Sequence, residues 1–378
     1  MVKYPGDWEV KTIGELFNVF AGGDTKKEYF SRIKTSEHRY EVFSNGVENR
    51  GLYGYTSKAL YPANSLTVSA RGTIGRAFYR DKEFDAIIRL LVLIPKSNNV
   101  IPKFYEYYIN SRIVFENEST GVAQLTAPKI REKNIPLPTL EEQTAIADTL
   151  AAFDTHISNL TELIAKKKAI REGALDELMT GRTRLKGFCG EWRDAKIGDI
   201  LKILHGKDKR NVESPAGHYP ILGTGGIIGK AIKPLCDWEC VLIGRKGTID
   251  RPYYMDKPFW SIDTLYYSKP EENQCVKYQY YLFCSINWYD YMESSGRPSL
   301  TRKAIENIKI KLPPLDEQTA IADTLTALDK EISSLEAERA KISNIRDGAM
   351  NDLLTGKVRL IHGNRKTAPE PRNSLASR

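Results

Sequence analysis

The chain has 378 residues, 41% of them hydrophobic, and 56 Lys and Arg against 48 Asp and Glu give a net charge of +8. This length exceeds one ordinary core and predicts two or three compact units, and the hydrophobic fraction excludes general disorder. No run approaches the roughly 18 apolar residues of a membrane span. The five cysteines show no disulfide-framework spacing. We therefore expect a cytoplasmic protein, with nucleic acid as a candidate partner for the basic excess.

The first segment, residues 1–136, is predicted to be a mixed α/β domain. Its β-rich runs, such as Ser65–Ser69 and Ile87–Ile94, are separated by glycine- and asparagine-rich turns. The aromatic stretch Phe104–Ile109 predicts a short helix. This segment has a net charge of +5, so it could meet phosphate, although a solvated basic surface is an equal alternative.

The second segment, residues 137–185, is predicted to be one long helix. Thr139 and Glu142 have the spacing of a capping box, and Gly181 stands where a glycine ends a helix. Over residues 140–179 such a helix would be roughly 60 Å long. Its apolar positions alternate in steps of four and three, which is typical of a coiled-coil seam. They are Ile146, Leu150, Phe153, Ile157 and Leu160.

The rest of the chain repeats this order. The eight residues of Gln143–Leu150 recur at Gln318–Leu325, 175 positions later. The repeat predicts a second mixed domain over residues 186–311, also with a net charge of +5, and a second long helix over 312–362. Residues 363–378 are predicted to be a disordered basic tail. The second seam comprises Ile321, Leu325, Leu328, Ile332 and Leu335.

The two long helices are predicted to pair as an antiparallel coiled coil around a pseudo-two-fold axis. Each is net acidic, and a polar helix with one apolar stripe needs a partner. Glycine inside a helix costs about 1 kcal/mol, so the matched Gly173 and Gly348 suggest a close approach or a bend. In the alternative, each stripe packs only on its neighbouring domain. In the antiparallel coiled coil, the predicted neighbours across the two helices are Leu160 with Leu335, Ile146 with Ala349, and Ile321 with Ala174.

Equivalent loops of the two mixed domains carry the candidate DNA-binding residues. Ser69–Arg76 matches Gly244–Arg251, and residues 121–126 match 296–301. Glycines let backbone N–H groups approach an anion, Arg can form two bonds to guanine, and Gln can do so to adenine. Glycine turns with surface arginines are the alternative for any single position. The candidates are Arg71, Thr73, Arg76, Gln124, Thr126, Arg245, Lys246, Thr248, Arg251, Arg297, Ser299, Thr301 and Arg302.

No catalytic or metal site is predicted. Residues 223–230 suggest a phosphate loop, but Ala231 stands where that motif needs Ser or Thr. Cys236 and Cys240 lack a second pair at zinc-ligand spacing. The chain shows no nucleophile–base arrangement and no Asn/Asp-Pro-Pro-aromatic motif of an amino-methyltransferase.

The sequence resembles the DNA-specificity (S) subunit of type I restriction–modification systems. The resemblance rests on Pro136–Gln143 and its twin Lys311–Gln318, the AIADTL blocks that follow, and the LxTGxxRL endings at Leu178–Leu185 and Leu353–Leu360. It implies an α+β fold with two target recognition domains alternating with two paired helices. It also implies a non-catalytic protein whose two domains each read half of a bipartite, asymmetric DNA target, with the helices setting the gap.

The resemblance also implies partners. Two methyltransferase (modification) subunits carrying S-adenosylmethionine would dock on the helices and their entry segments, around Gln143 and Gln318. ATP- and Mg-dependent restriction subunits would join through that core, and this chain would bind no cofactor. Two rivals stay open. A self-contained methyltransferase or nuclease would need the missing motif, and a dimeric transcriptional or architectural binder would need a palindromic site.

Overall fold

The computed structural model describes residues 4–24, 27–116, 124–292, 296 and 298–361. The chain forms two compact units: unit 1 combines residues 1–159 with 339–378, and unit 2 spans residues 160–338. The boundary falls inside both long helices. Each long helix therefore contributes residues to both units. The predicted contact Arg297 and the tail 363–378 lie outside the described residues.

Unit 1 holds three small sheets, with one large and one small hydrophobic cluster. The strands are β1 (Glu9–Thr12), β2 (Phe17–Ala21), β3 (Phe30–Ser31), β4 (Tyr40–Phe43), β5 (Leu52–Thr56), β6 (Ser65–Val68), β7 (Ala77–Arg80), β8 (Phe84–Ala86), β9 (Leu91–Pro95) and β10 (Asn134–Leu137). β1 pairs with β10; the other two sheets have the orders β2-β9-β6-β7 and β3-β5-β4-β8, in which β4 and β8 are parallel. The helices of the domain are α1 (Ile13–Leu16), α2 (Pro102–Arg112) and α3 (Ala127–Arg131).

Unit 2 repeats this arrangement. Its strands are β11 (Arg193–Lys196), β12 (Leu201–His205), β13 (Tyr219–Gly223), β14 (Gly226–Ala231), β15 (Cys240–Gly244), β16 (Tyr253–Met255), β17 (Trp260–Ser261), β18 (Leu265–Pro270) and β19 (Lys309–Leu312). β11 pairs with β19; the other sheets have the orders β12-β18-β15-β16 and β14-β13-β17, in which β13 and β17 are parallel. The helices of the domain are α5 (Ile197–Ile200), α6 (Val276–Ser285) and α7 (Arg302–Glu306).

The aromatic stretch Phe104–Ile109, predicted as a short helix, lies within α2, and α6 is the equivalent aromatic helix of unit 2. Their aromatic side chains, including Phe104, Tyr105 and Tyr278, are buried in the domain cores. One strand prediction needs correction. Residues 87–90 form a turn, and the strand begins only at Leu91. The turn leads from β8, in one sheet, to β9, in another.

The long helices are α4 (Leu140–Thr180) and α8 (Leu315–Leu353). Gly181 follows α4 with φ 71°, the left-handed conformation that favours glycine at a helix end. The capping box of α4 is only half formed. The Glu142 N–H donates to the Thr139 hydroxyl over 3.3 Å, whereas the Glu142 carboxylate bonds to Trp8 and Arg359 instead.

Each unit contains contacts between α4 and α8. In unit 1, Ile146 and Leu150 of α4 share a core cluster with Leu353 of α8, and Ala349 packs against that cluster. This placement is compatible with the predicted pairing of Ile146 with the Ala349 region, which stays a prediction. The same cluster contains residues of the mixed domain, so both predicted modes of burial occur together.

In unit 2, Ile321 and Leu325 of α8 share a core cluster with Leu175 of α4, and Ala174 packs against it. The pairing of Ile321 with Ala174 itself stays a prediction. Lys167 pairs with Glu331 at 2.6 Å and Arg171 with Asp329 at 2.9 Å. Lys168 pairs with Glu336 at 2.7 Å. Leu175, near the end of α4, thus lies with the first turns of α8, and Lys168, seven residues earlier, pairs further along α8, so the two helices run antiparallel in unit 2. Of the other seam residues, those that are buried are Leu160 and Ile332, and those that are half-buried are Phe153, Ile157, Leu328 and Leu335.

The expected close approach at Gly173 and Gly348 is wrong. A Cβ placed on either glycine would have no heavy atom within 4 Å other than the nearby backbone of its own helix. Both residues lie on exposed positions of their helices, so packing gives no reason for glycine there. Across the described residues, no helix combines the length and apolar character that a membrane span requires.

Candidate nucleic-acid interface

In unit 1, the loop Ser69–Arg76 is held closed by its own backbone. The Ser69 N–H donates to the Arg76 carbonyl over 2.9 Å, and the Gly75 N–H donates to the Ser69 carbonyl over 2.7 Å. Gly72 and Gly75 adopt φ of 71° and 83°, which few other residues tolerate. The loop therefore presents the exposed side chains of Arg71 and Thr73 on a fixed backbone.

The two predicted DNA-binding segments of unit 1 lie side by side. Arg71 pairs with Gln124 in an antiparallel bridge, and the Leu125 N–H donates to the Ala70 carbonyl over 2.9 Å. Arg71, Gln124 and Thr126 are exposed. The structure thus brings together the cation and the amide that the sequence places far apart.

Unit 2 has the same arrangement. Lys246 pairs with Ser299 in an antiparallel bridge, and the Leu300 N–H donates to the Arg245 carbonyl over 2.9 Å. Lys246 therefore takes the place of Arg71, and Ser299 that of Gln124. Lys246, Thr248 and Arg251 are exposed, whereas Ser299 is half-buried.

Three of the predicted DNA-binding residues form hydrogen bonds or an ion pair with other residues of the chain. The Thr301 hydroxyl accepts the Ala304 N–H over 3.2 Å and so caps α7. Arg302 pairs with Glu306 at 2.9 Å, and Arg245 donates to the Asp263 carbonyl over 3.3 Å. Thr301 thus has a structural role, because its hydroxyl satisfies a helix N–H that would otherwise lack a partner. Its predicted contact with DNA stays a prediction.

Further cations surround a cavity of about 440 Å³ in unit 1, which Arg76 lines together with Arg50 and Lys103. Arg80 lies nearby but is buried. Burial lowers the pKa of Arg80 to about 9, and the neighbouring Arg50 adds to this shift. The Arg80 guanidinium lies 3.4 Å from the centre of the Phe43 ring and donates to Thr67, so it belongs to the core.

The sequence did not identify Asn45 as part of this surface. Its side-chain oxygen accepts the Ala70 N–H over 2.6 Å, directly before Arg71. Its side-chain nitrogen donates to the Ile88 carbonyl over 2.5 Å. Asn45 therefore connects the β4–β5 turn, the loop Ser69–Arg76 (the cationic loop) and the turn after β8. Only the short Ser-Asn-Gly stretch, typical of a turn, marks it in the sequence.

The prediction that Gln143 and Gln318 contact a partner is wrong for their side chains, which are 0% and 2% exposed. Gln143 donates to the Asn99 and Pro138 carbonyls, each over 2.9 Å, and accepts the Ile101 N–H. Gln318 donates to the Pro313 carbonyl over 3.0 Å. Both glutamines satisfy buried backbone groups at the entry to a long helix, so they are unavailable to a partner.

A buried carboxylate anchors each unit near those entries. In unit 2, Glu317 accepts bonds from Arg184 at 2.5 Å and from Trp192 at 3.0 Å. In unit 1, Glu142 accepts from Arg359 and from Trp8 at 2.9 Å. Each bond set ties the residues that follow one long helix to the first residues of a mixed domain.

No group of three potential metal ligands occurs in the part of the chain that the structure describes. The Sγ atoms of Cys236 and Cys240 are 3.9 Å apart and buried. The bond from Cys236 to Cys240 lowers the pKa of Cys236, and the same bond, together with burial, raises that of Cys240. Two thiols alone are fewer than the three or four protein ligands of a zinc site.

Comparison with known proteins agrees with this geometry. The family described as type I restriction modification DNA specificity domain matches residues 5–169 and again residues 190–344. The putative type I restriction enzyme MjaX specificity subunit of Methanocaldococcus jannaschii is 26% identical over 94% of this chain and 95% of that protein. The putative type I specificity subunit S.MgeORF438P of Mycoplasma genitalium is 25% identical over 92% of this chain and 94% of that protein.

Solved structures show the same fold. The S subunit of a type I restriction–modification system from M. genitalium matches with a TM-score of 0.68 and 23% identity, over 93% of this chain and 97% of that chain. A chain from a structure of complex assembly in the type I system matches with a TM-score of 0.56 and 15% identity, over 94% and 100%. The predicted α+β fold with an internal repeat is confirmed, and the chain belongs to the type I restriction modification DNA specificity family.

Proposed function

We propose that the chain is a sequence-reading subunit whose unit 1 and unit 2 each bind one half of a bipartite, asymmetric DNA target. One observation carries this proposal: Arg71 beside Gln124 and Lys246 beside Ser299 occupy the same place in the two units. Arg and Lys can both bond to guanine, whereas the paired bonds that Gln forms to adenine are not available to Ser. Two frameworks of one fold with different exposed side chains suit two different half-sites.

Catalysis belongs to other subunits in this proposal. The relatives are named as specificity subunits, a recognition role. Methyltransferase subunits would carry S-adenosylmethionine and receive the flipped target adenine, and restriction subunits would use ATP and Mg. The long helices, each of which contributes to both units, would set the number of base pairs between the half-sites.

The proposed docking surface for the methyltransferase subunits lies on exposed apolar residues of the helices. Leu140 and Leu315, at matching positions beside the buried glutamines, are each 42% exposed. Ile345 and Ile170 also match and are 44% and 56% exposed. Each unit thus has one exposed leucine and one exposed isoleucine of this set, which supports one methyltransferase subunit per unit.

Selection from random duplex DNA tests the recognition role. The full-length chain, alone and with methyltransferase subunits, is expected to enrich one target with two unlike halves. Gln124→Ala should change the preference in one half and Ser299→Ala in the other. Enrichment of a palindrome would favour the dimeric binder, and enrichment of no sequence would reject the proposal. Methyl transfer by the chain alone, supplied with S-adenosylmethionine, would favour the self-contained enzyme.

Co-purification tests the docking surface. Leu140→Asp and Leu315→Asp should each reduce the bound methyltransferase from two copies to one, and the double variant should bind none. Leu60→Asp is the matched control, because Leu60 is 69% exposed but lies on the mixed domain of unit 1. Two copies bound by the double variant would reject this surface.

A further inference from the structure

The turn between β8 and β9, residues 87–90, has an unusual backbone. Ile88 and Arg89 both adopt positive φ, of 55° and 62°. This conformation is rare for any residue with a side chain and is a clear outlier for a β-branched one. Such strain persists only where the surrounding structure enforces it, and it is concentrated at functional sites.

Backbone bonds on both sides enforce this turn. The Ile88 N–H donates to the Gly23 carbonyl over 2.9 Å, and the Arg89 N–H donates to the Gly22 carbonyl over 3.1 Å. The Gly22 N–H donates in turn to the Leu90 carbonyl over 2.7 Å. A Cβ on Gly22 would lie 2.6 Å from the Ala86 carbonyl oxygen, so only glycine allows this approach. The backbone of Arg89 is therefore held in place.

The turn lies against the cationic loop. The side-chain amide of Asn45 spans the two, since it donates to the Ile88 carbonyl over 2.5 Å and accepts the Ala70 N–H over 2.6 Å. In unit 2 the equivalent turn bonds to the loop directly, through the Arg245 N–H and the Thr264 carbonyl at 2.9 Å. This turn is therefore a second edge of the same surface in both units.

The side chains at this edge differ in charge between the units. The Ile87 N–H donates to the Phe43 carbonyl as the Ile262 N–H donates to the Leu222 carbonyl, over 2.9 and 3.1 Å. Ile88 and Arg89 therefore correspond to Asp263 and Thr264. Arg89 is exposed and forms no ion pair with the residues that the structure describes.

We propose that Arg89 is a specificity-determining residue that reads guanine in the half-site bound by unit 1; this inference rests on the proposed function. A guanidinium can donate two parallel bonds to the O6 and N7 atoms of guanine in the major groove. A fixed backbone lowers the entropy lost when such a side chain is ordered. Unit 2 presents a carboxylate and a hydroxyl at this edge, so the preference for guanine belongs to one half-site.

The test is selection of random duplex DNA by the full-length chain carrying Arg89→Gly or Arg89→Lys. Glycine adopts positive φ freely, so Arg89→Gly removes the side chain without straining the turn. Lysine keeps the charge but lacks the planar fork of the guanidinium, so it should retain part of the guanine preference. Lys82→Ala is the control, because Lys82 is also exposed but lies in the connection at the other end of β8.

The expected result is loss of one guanine preference in one half-site, by about 10- to 100-fold in Arg89→Gly and by less in Arg89→Lys. The other half-site and the Lys82 variant should keep the wild-type preferences. Unchanged preferences in Arg89→Gly, or a uniform loss of affinity for all sequences, would overturn the role of Arg89 and leave the proposed function intact. A wild-type chain that selects no sequence would reject the proposed function and this inference together.

Discussion

Arg171 of α4 donates to the carboxylate of Asp329 of α8 over 2.9 Å, and unit 1 repeats this relationship with Arg346 and Asp154 at 3.0 Å. Each carboxylate also accepts a tyrosine of the mixed domain. Tyr281 donates to Asp329 over 2.8 Å, and Tyr107 to Asp154 over 2.7 Å. Burial, and for each tyrosine its bond to the aspartate, keep the pKa of both tyrosines above the ordinary value. One aspartate therefore connects both long helices with the recognition domain of its unit.

Replacing Asp329 with alanine should destabilise unit 2 by about 1–3 kcal/mol, because it removes the acceptor of a charged and a neutral donor that are partly buried. Urea unfolding measures this change. The control is Glu162→Ala, whose pair with Lys166 at 2.7 Å lies on the exposed face of α4 and should contribute little, because solvent screens it. Equal effects of the two substitutions would show that Asp329 acts only as a surface charge.

Glu317→Ala should cost more, about 3–5 kcal/mol, because the Glu317 side chain is 1% exposed and its loss leaves the donors of Arg184 and Trp192 without an acceptor. The matched control is Glu271→Ala, since Glu271 pairs with Lys202 at 3.5 Å on the surface of the same unit. The free energy of unfolding in urea gives both values. A cost for Glu317→Ala no greater than that for Glu271→Ala would contradict the anchoring role.

The sequence was sufficient for features that depend on local pattern. Periodic apolar residues and an ending glycine predicted α4 within a residue or two, and the repeat predicted the equivalence of the two recognition loops. The errors concern side chains whose partners lie far along the chain. Glu142 bonds to Arg359, and Gln143 to the carbonyl of Asn99; no local pattern indicates either. The turn at Ile88 was missed because tertiary bonds to Gly22 and Gly23 hold it.

Alanine substitutions should have opposite effects on stability at the glycines inside the long helices and at the glycine that follows α8. Gly173→Ala and Gly348→Ala should stabilise the protein by about 0.5–1 kcal/mol each, because both sites are helical and open around the Cβ position. Gly356→Ala should destabilise it, since Gly356 has φ 69° and a Cβ there would lie 2.5 Å from Pro5 Cγ. Thermal unfolding of the three variants gives the signs. Destabilisation by Gly173→Ala would restore the close approach that the sequence suggested.

Arg71→Ala and Lys246→Ala should each weaken DNA binding and reduce its salt dependence. Each cation that neutralises a phosphate contributes about 0.9 to the slope of log K against log salt concentration, so a variant that loses one contact should have a slope smaller by about 1. Binding titrations of one duplex at several salt concentrations measure this slope. Arg182→Ala is the control, because Arg182 is exposed, pairs with Glu177 just after α4 and belongs to neither loop. If Arg71 reads a base instead, Arg71→Ala should lower affinity for the selected target while affinity for unrelated duplexes, and the slope measured on them, remain unchanged. An unchanged affinity for every duplex would remove Arg71 from the interface, and the bridge to Gln124 would then serve only to close the loop.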